Sequence, residues 1–138
     1  MAERGGWDRR YAALALCCGL FLIALGQRPG REVPRLDLGL PLPGDKIAHF
    51  LAYGFYAALL WRAAVPPGGR RAAALPDPAA FTVCVVAATG ALDELLQGVA
   101  DRGRTMELWD WAADCAGAAA VCAAGAWERR RARGAGGR

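Results

Sequence analysis

The chain has 138 residues, enough for one domain and too short for two. Apolar residues make up 55% of it and charged residues 22%, and the charges fall in blocks between apolar runs, a segregation that marks membrane spans and argues against a soluble domain. The net charge of +4 does not point to nucleic acid, because the arginines gather at the ends of the apolar runs with no zinc-finger spacing or nucleic-acid motif, a placement suited to anionic lipid.

The first apolar run, residues 11–26, follows Arg4, Arg9 and Arg10 and is short for a span, for which about 20 residues are usual. The same residues fit a secretory signal peptide, with Ala24-Leu25-Gly26 as a small-x-small cleavage site, so a retained span and a removed leader are both open. Pro29, Pro34, Pro41 and Pro43 break the chain, and Pro43-Gly44 ahead of Asp45 predicts a helix over 46–64 with Asp45 as its N-cap. Pro66-Pro67, Gly68-Gly69 and Arg70-Arg71 end that helix, and a third is predicted over 79–99. A short charged turn with Asp101, Arg102, Gly103 and Arg104 leads to a fourth over 106–127, and the Arg-rich residues 128–138 read as a disordered tail. With no internal repeat and no strand-period segment, the expected fold is all-α, an integral membrane bundle of four transmembrane helices in one domain.

If the first segment spans, the N-terminus, second loop and tail carry eleven Lys and Arg residues against six on the opposite side. The positive-inside rule then places both termini in the cytoplasm. Trp7, Trp61 and Trp127 fall near the inner interface and Trp109 and Trp111 near the outer one, as an aromatic belt requires. The cysteines Cys17, Cys18, Cys84, Cys115 and Cys122 lie in apolar segments without CxxC spacing and read as small packing residues.

Laying the four helices antiparallel brings the polar residues to one level. Asp45, Lys46 and His49 start the second helix, Asp93, Glu94 and Gln97 end the third, and Asp110 and Asp114 start the fourth, all toward the outer surface. Asp45 and His49, Asp93 and Gln97, and Asp110 and Asp114 are i,i+4 pairs, each sharing one helix face. Ala113, Gly117, Ala118, Cys122 and Gly125 allow close backbone approach, which predicts the fourth helix at the bundle centre.

An acid at mid-membrane costs about 2.5 to 3.5 kcal/mol on insertion scales, so Asp93 beside Glu94 needs compensation. Three routes are open: protonation of a carboxylate, ion pairing with Lys46 and Arg104, or a divalent cation held by carboxylates with or without His49. Plainer roles stand beside these. Asp45 serves as a cap, Lys46 snorkels to the interface, Asp110 is a first-turn acid favoured by the helix dipole, and His49 is a hydrogen-bonded packing residue. Tyr53 and Tyr56 read as packing and stay outside the site.

The ordered set Asp45-Lys46-Ile47-Ala48-His49-Phe50-Leu51-Ala52-Tyr53, then Asp93-Glu94-Leu95-Leu96-Gln97, then Arg104 with Asp110, Asp114 and Gly117, resembles the VanZ-like family over residues 45–125. Many members of that family carry Asn where this chain has Asp114. The resemblance implies a bacterial inner-membrane protein of several helices, from a family whose founding member is associated with low-level resistance to the glycopeptide teicoplanin.

The expected function is an envelope membrane protein whose outer-leaflet polar pocket binds or modifies a lipid-linked or cell-wall head group, with membrane lipids and a lipid-linked envelope precursor as partners. An enzymatic form uses His49, Asp93, Glu94 and Asp114 for chemistry, with Glu94 or His49 as general base, and Asp45, Lys46, Gln97, Arg104 and Asp110 for binding. The rival is a non-catalytic helper whose cluster is a structural ion-pair network. An ion path is disfavoured, because the cytoplasmic half lacks matching acids.

Overall fold

A computed structural model describes residues 7–28, 43–65, 77–100 and 106–135. These residues form four α-helices and no strand: α1 (Arg9–Gly26), α2 (Gly44–Ala64), α3 (Pro78–Val99) and α4 (Leu108–Ala135).

The breakers place the helix starts. Asp8 caps α1, its Oδ1 accepting from the Arg10 N–H at 3.0 Å, and Asp77 caps α3 in the same way through the Ala79 N–H at 2.9 Å, with Pro78 in the first turn, where no N–H is needed. The start of α2 differs from the expected one. Pro43 occupies the cap position without a side-chain bond, and Asp45 lies inside the first turn, accepting from the Lys46 N–H at 2.9 Å. The same N–H also donates to the Pro43 carbonyl at 3.1 Å, so Asp45 adds a second acceptor there.

Successive helices run antiparallel, as local ties at one end show. The Asp8 N–H donates to the Ala63 carbonyl at 3.0 Å, joining the start of α1 to the end of α2. The Cys122 thiol lies 3.8 Å from the Ala79 carbonyl, joining the latter half of α4 to the start of α3. Both α2 and α3 meet all three other helices, while α4 packs on α2 and α3 alone among the described residues. This corrects the expectation of α4 at the centre, although its small residues do permit the closest approach. The site facing Gly117 is Gly54 and the Phe50 carbonyl of α2, and a Cβ on Gly117 would stand 3.0 Å from the Gly54 nitrogen and 3.2 Å from the Phe50 carbonyl carbon.

Polar side chains share the interior with apolar ones, and large apolar side chains share the surface. A small apolar core centres on Tyr53, Tyr56, Ala57, Leu60 and Val86, with Ala15 and Leu22 of α1 packed into it. Yet Asp93, Glu94, Gln97, Asp110 and Asp114 are also buried, while Leu14, Leu16, Leu20, Phe21, Leu51, Phe55, Leu95, Leu108 and Trp109 face outward. Two helices, α1 and α3, are long and apolar enough to cross a membrane.

Three sequence expectations change in detail. Helix α4 continues through Glu128 to Ala135, where disorder was expected. Alanine, arginine and glutamate are good helix formers, and the Arg131 guanidinium sits 3.8 Å over the Trp127 ring one turn earlier. Of the five tryptophans, Trp109 and Trp127 are exposed, whereas Trp61 is buried against Gly125, Trp7 packs edge-on to Phe81 at 5.1 Å, and the Trp111 indole N–H donates to the Ala87 carbonyl at 2.9 Å. All five cysteines are free, but Cys122 alone is fully packed, and Cys17 and Cys84 face outward.

Candidate functional site

At the end of the bundle where α2 and α4 begin and α3 finishes, the side chains of three helices converge. Lys46 stands at the rim. Its ammonium donates to Asp45 Oδ2 at 3.2 Å, to Glu107 Oε2 at 2.5 Å and to Asp110 Oδ1. One cation thereby joins α2 to the start of α4, with Asp45 and Glu107 open to the surroundings and Asp110 buried.

One turn deeper, His49 Nδ1 lies 2.9 Å from Asp114 Oδ1 and Nε2 lies 3.7 Å from Asp110 Oδ2. Asp110 thus faces Lys46 with one oxygen and His49 with the other. The i,i+4 spacing on each helix makes this register, since Asp110 and Asp114 face α2 one turn apart. Glu94 arrives from α3, its Oε2 accepting from the Glu107 N–H at 2.7 Å, which ties α3 to the approach to α4. Ligand atoms of His49, Glu94 and Asp110 all lie within 4.8 Å of one another.

Asp93 belongs to a neighbouring branch. The Tyr53 hydroxyl donates to its Oδ2 at 3.2 Å and the Gln27 amide to its Oδ1 at 3.5 Å, so Asp93 holds the end of α1 against α2. Gly26 rests directly on this carboxylate. The Tyr53 ring stacks parallel to His49 with centroids 6.1 Å apart, connecting the two branches.

The expected site residues Asp45, Lys46, His49, Glu94, Asp110 and Asp114 are therefore brought together, with Asp93 alongside. Gln97 is buried one turn below Asp93, and among the described residues its Nε2 has no hydrogen-bond partner. Arg104 lies outside the described residues. Two residues were missed. Tyr53 was set aside as packing, although Asp45, His49 and Tyr53 form an i, i+4, i+8 stripe that points to the same face. Glu107 lies within the span predicted for the fourth helix and just ahead of α4, and was not set with the cluster. Lys46, weighed above as an ion-pair partner of the carboxylates, is shared among three of them.

Two further atoms stand out. Glu94 Oε1 and Asp114 Oδ2 are buried with no partner among the described residues. Buried polar atoms are paired in the great majority of cases, so acceptors exceed donors in this cluster.

Comparison of the chain with models of known protein families, with curated proteins and with solved structures found no match.

Proposed function

We propose that this chain is a VanZ-like protein of the bacterial inner membrane, spanning it four times with both termini in the cytoplasm. Its buried ionisable cluster is a polar pocket beneath the outer surface that binds or modifies a lipid-linked or cell-wall head group, with a link to glycopeptide resistance. The observation that carries this reading is the inversion of the bundle: acids from α3 and α4 are buried at one end while leucines and phenylalanines face outward. Water would oppose both features, whereas a bilayer favours the second and makes the first costly enough to need a purpose. Six residues of the VanZ-like resemblance, Asp45, Lys46, His49, Glu94, Asp110 and Asp114, also fall in the cluster.

Retention of the first helix is supported by its packing. Ala15, Gly19, Leu22 and Gly26 form one buried stripe, and the Gln27 amide reaches Asp93. The arginines of the α4 extension lie at the end opposite the cluster, which supports the cytoplasmic placement of that end.

A second reading, the non-catalytic helper, is favoured by the way Lys46 and His49 are already taken up by carboxylates. The unpaired Glu94 and Asp114 oxygens favour a ligand instead. Incubating the purified protein with a short polyprenyl phosphate and measuring retention by native mass spectrometry separates the two. Retention above that of phosphatidylglycerol, lost in Lys46→Gln and Asp110→Asn at normal membrane abundance, is the expected result. Equal retention of both lipids would sink the head-group reading and leave the ion-pair network.

A further inference from the structure

We propose that the inner part of the cluster is a site for a divalent transition-metal ion. His49 Nε2, a Glu94 oxygen and Asp110 Oδ2 are its ligands, and Asp114 is the residue that orients the imidazole. The proposal rests on reading the cluster as a ligand site and names what the site holds.

The three ligands come from α2, α3 and α4, and their donor atoms lie within 4.8 Å of one another before any ion is considered. Helix packing presets them. The tautomer of His49 follows from its partner. Asp114 is 1% exposed and its Oδ1 lies 2.9 Å from Nδ1; an ionised carboxylate only accepts, so Nδ1 carries the proton and Nε2 keeps its lone pair. That lone pair belongs to the nitrogen on the side of Asp110 Oδ2, 3.7 Å away. A carboxylate holding one imidazole nitrogen while the other meets the ion is the arrangement used by metal-binding histidines.

An independent observation comes from Glu94. It is 3% exposed, and its Oε1 has no hydrogen-bond partner among the described residues, although its Oε2 is satisfied by the Glu107 N–H. A buried carboxylate oxygen left without a donor, within the same trio as an imidazole lone pair and a second carboxylate, offers a place for a positive charge that Lys46 does not occupy. Its ammonium occupies the rim trio of Asp45, Glu107 and Asp110, drawing on Asp110 Oδ1 and leaving Oδ2 for the inner site. The rim trio is therefore a lysine site, and the inner trio is the one that takes an ion.

One imidazole and two carboxylates select zinc or manganese over calcium and magnesium, which prefer oxygen alone. Three protein ligands leave a coordination position for water or for an oxygen of a head group.

The full chain, purified in detergent, stripped with EDTA and titrated with zinc, manganese or cobalt, tests the proposal. Stoichiometric binding with a rise in unfolding temperature is expected, lost in His49→Gln and Glu94→Gln. Asp114→Asn keeps an oxygen for the Nδ1 proton but loses its charge, so affinity should fall by about 10- to 100-fold. The wild-type cobalt spectrum guards against variants that fold poorly, since nitrogen and oxygen ligation is expected and a thiolate charge-transfer band would overturn the assignment. No binding by wild type, or unchanged affinity in Glu94→Gln, would also overturn it. Polyprenyl phosphate retention, measured with and without EDTA on the same preparation, tests the head-group reading separately. Retention without metal binding removes the metal site alone, and metal binding without retention in either condition leaves the metal site standing and removes the head-group reading.

Discussion

Gly117→Leu is expected to lower stability by about 3 kcal/mol, the upper part of the usual range for overpacking, because the added side chain meets backbone. Its Cβ alone would collide with the Phe50 carbonyl of α2 and press on the Gly54 nitrogen, and neither can move aside as a side-chain tip can. The separation would also pull Asp110 and Asp114 away from Lys46 and His49, so the cluster and the scaffold fail together. Thermal unfolding in detergent measures the effect. Gly134→Ala is the matched control, since nothing lies within 4 Å of a Cβ there, and it should unfold at the wild-type temperature or slightly above. Equal behaviour of the two variants would mean that α2 and α4 are not in close contact.

The second large effect is expected at the His49–Asp114 pair. His49→Leu leaves the Asp114 carboxylate buried with its Oδ1 partner removed and its Oδ2 already unpaired among the described residues. Breaking one side of a buried pair costs about 3 to 5 kcal/mol, whereas replacing both sides with apolar groups is often neutral. His49→Leu should therefore be strongly destabilised, and adding Asp114→Leu should restore most of the loss. A double-mutant cycle of unfolding free energies reads this directly. Simple additivity of the two losses would show that the residues do not act as a pair.

The helices were legible because apolar runs and Pro and Gly breakers mark the same boundaries; the one cap read from the sequence, Asp45, lies inside the first turn of α2, and the caps Asp8 and Asp77 were missed. The cluster was legible for a related reason: i,i+4 pairs near helix ends fix both face and level, so Asp45 and His49, and Asp110 and Asp114, could be set opposite one another before any packing was known. What the pattern hides is partnership. Tyr53 looks like any aromatic at helical spacing until Asp93 is found 3.2 Å from its hydroxyl. Glu107 lies just before α4, where the path of the backbone decides what it meets, and it meets Lys46 and Glu94.

The central helix was misplaced for a physical reason too. Small residues show where a backbone can approach but not which neighbours surround a helix, and α2 and α3 each meet all three others while α4 meets two. The basic end of α4 was read as unfolded from charge alone. Its helix propensity, together with the Arg131–Trp127 contact, carries the helix to Ala135.

Impermeant thiol labelling of intact cells, in a background with the five native cysteines replaced, tests most directly whether this bundle crosses the membrane with its cluster outward. Glu107→Cys sits at the cluster rim and Glu128→Cys on the basic extension of α4. The account predicts labelling of position 107 from outside and of position 128 only after the cells are permeabilised. Labelling of both from the same side, or the reverse pattern, would contradict it.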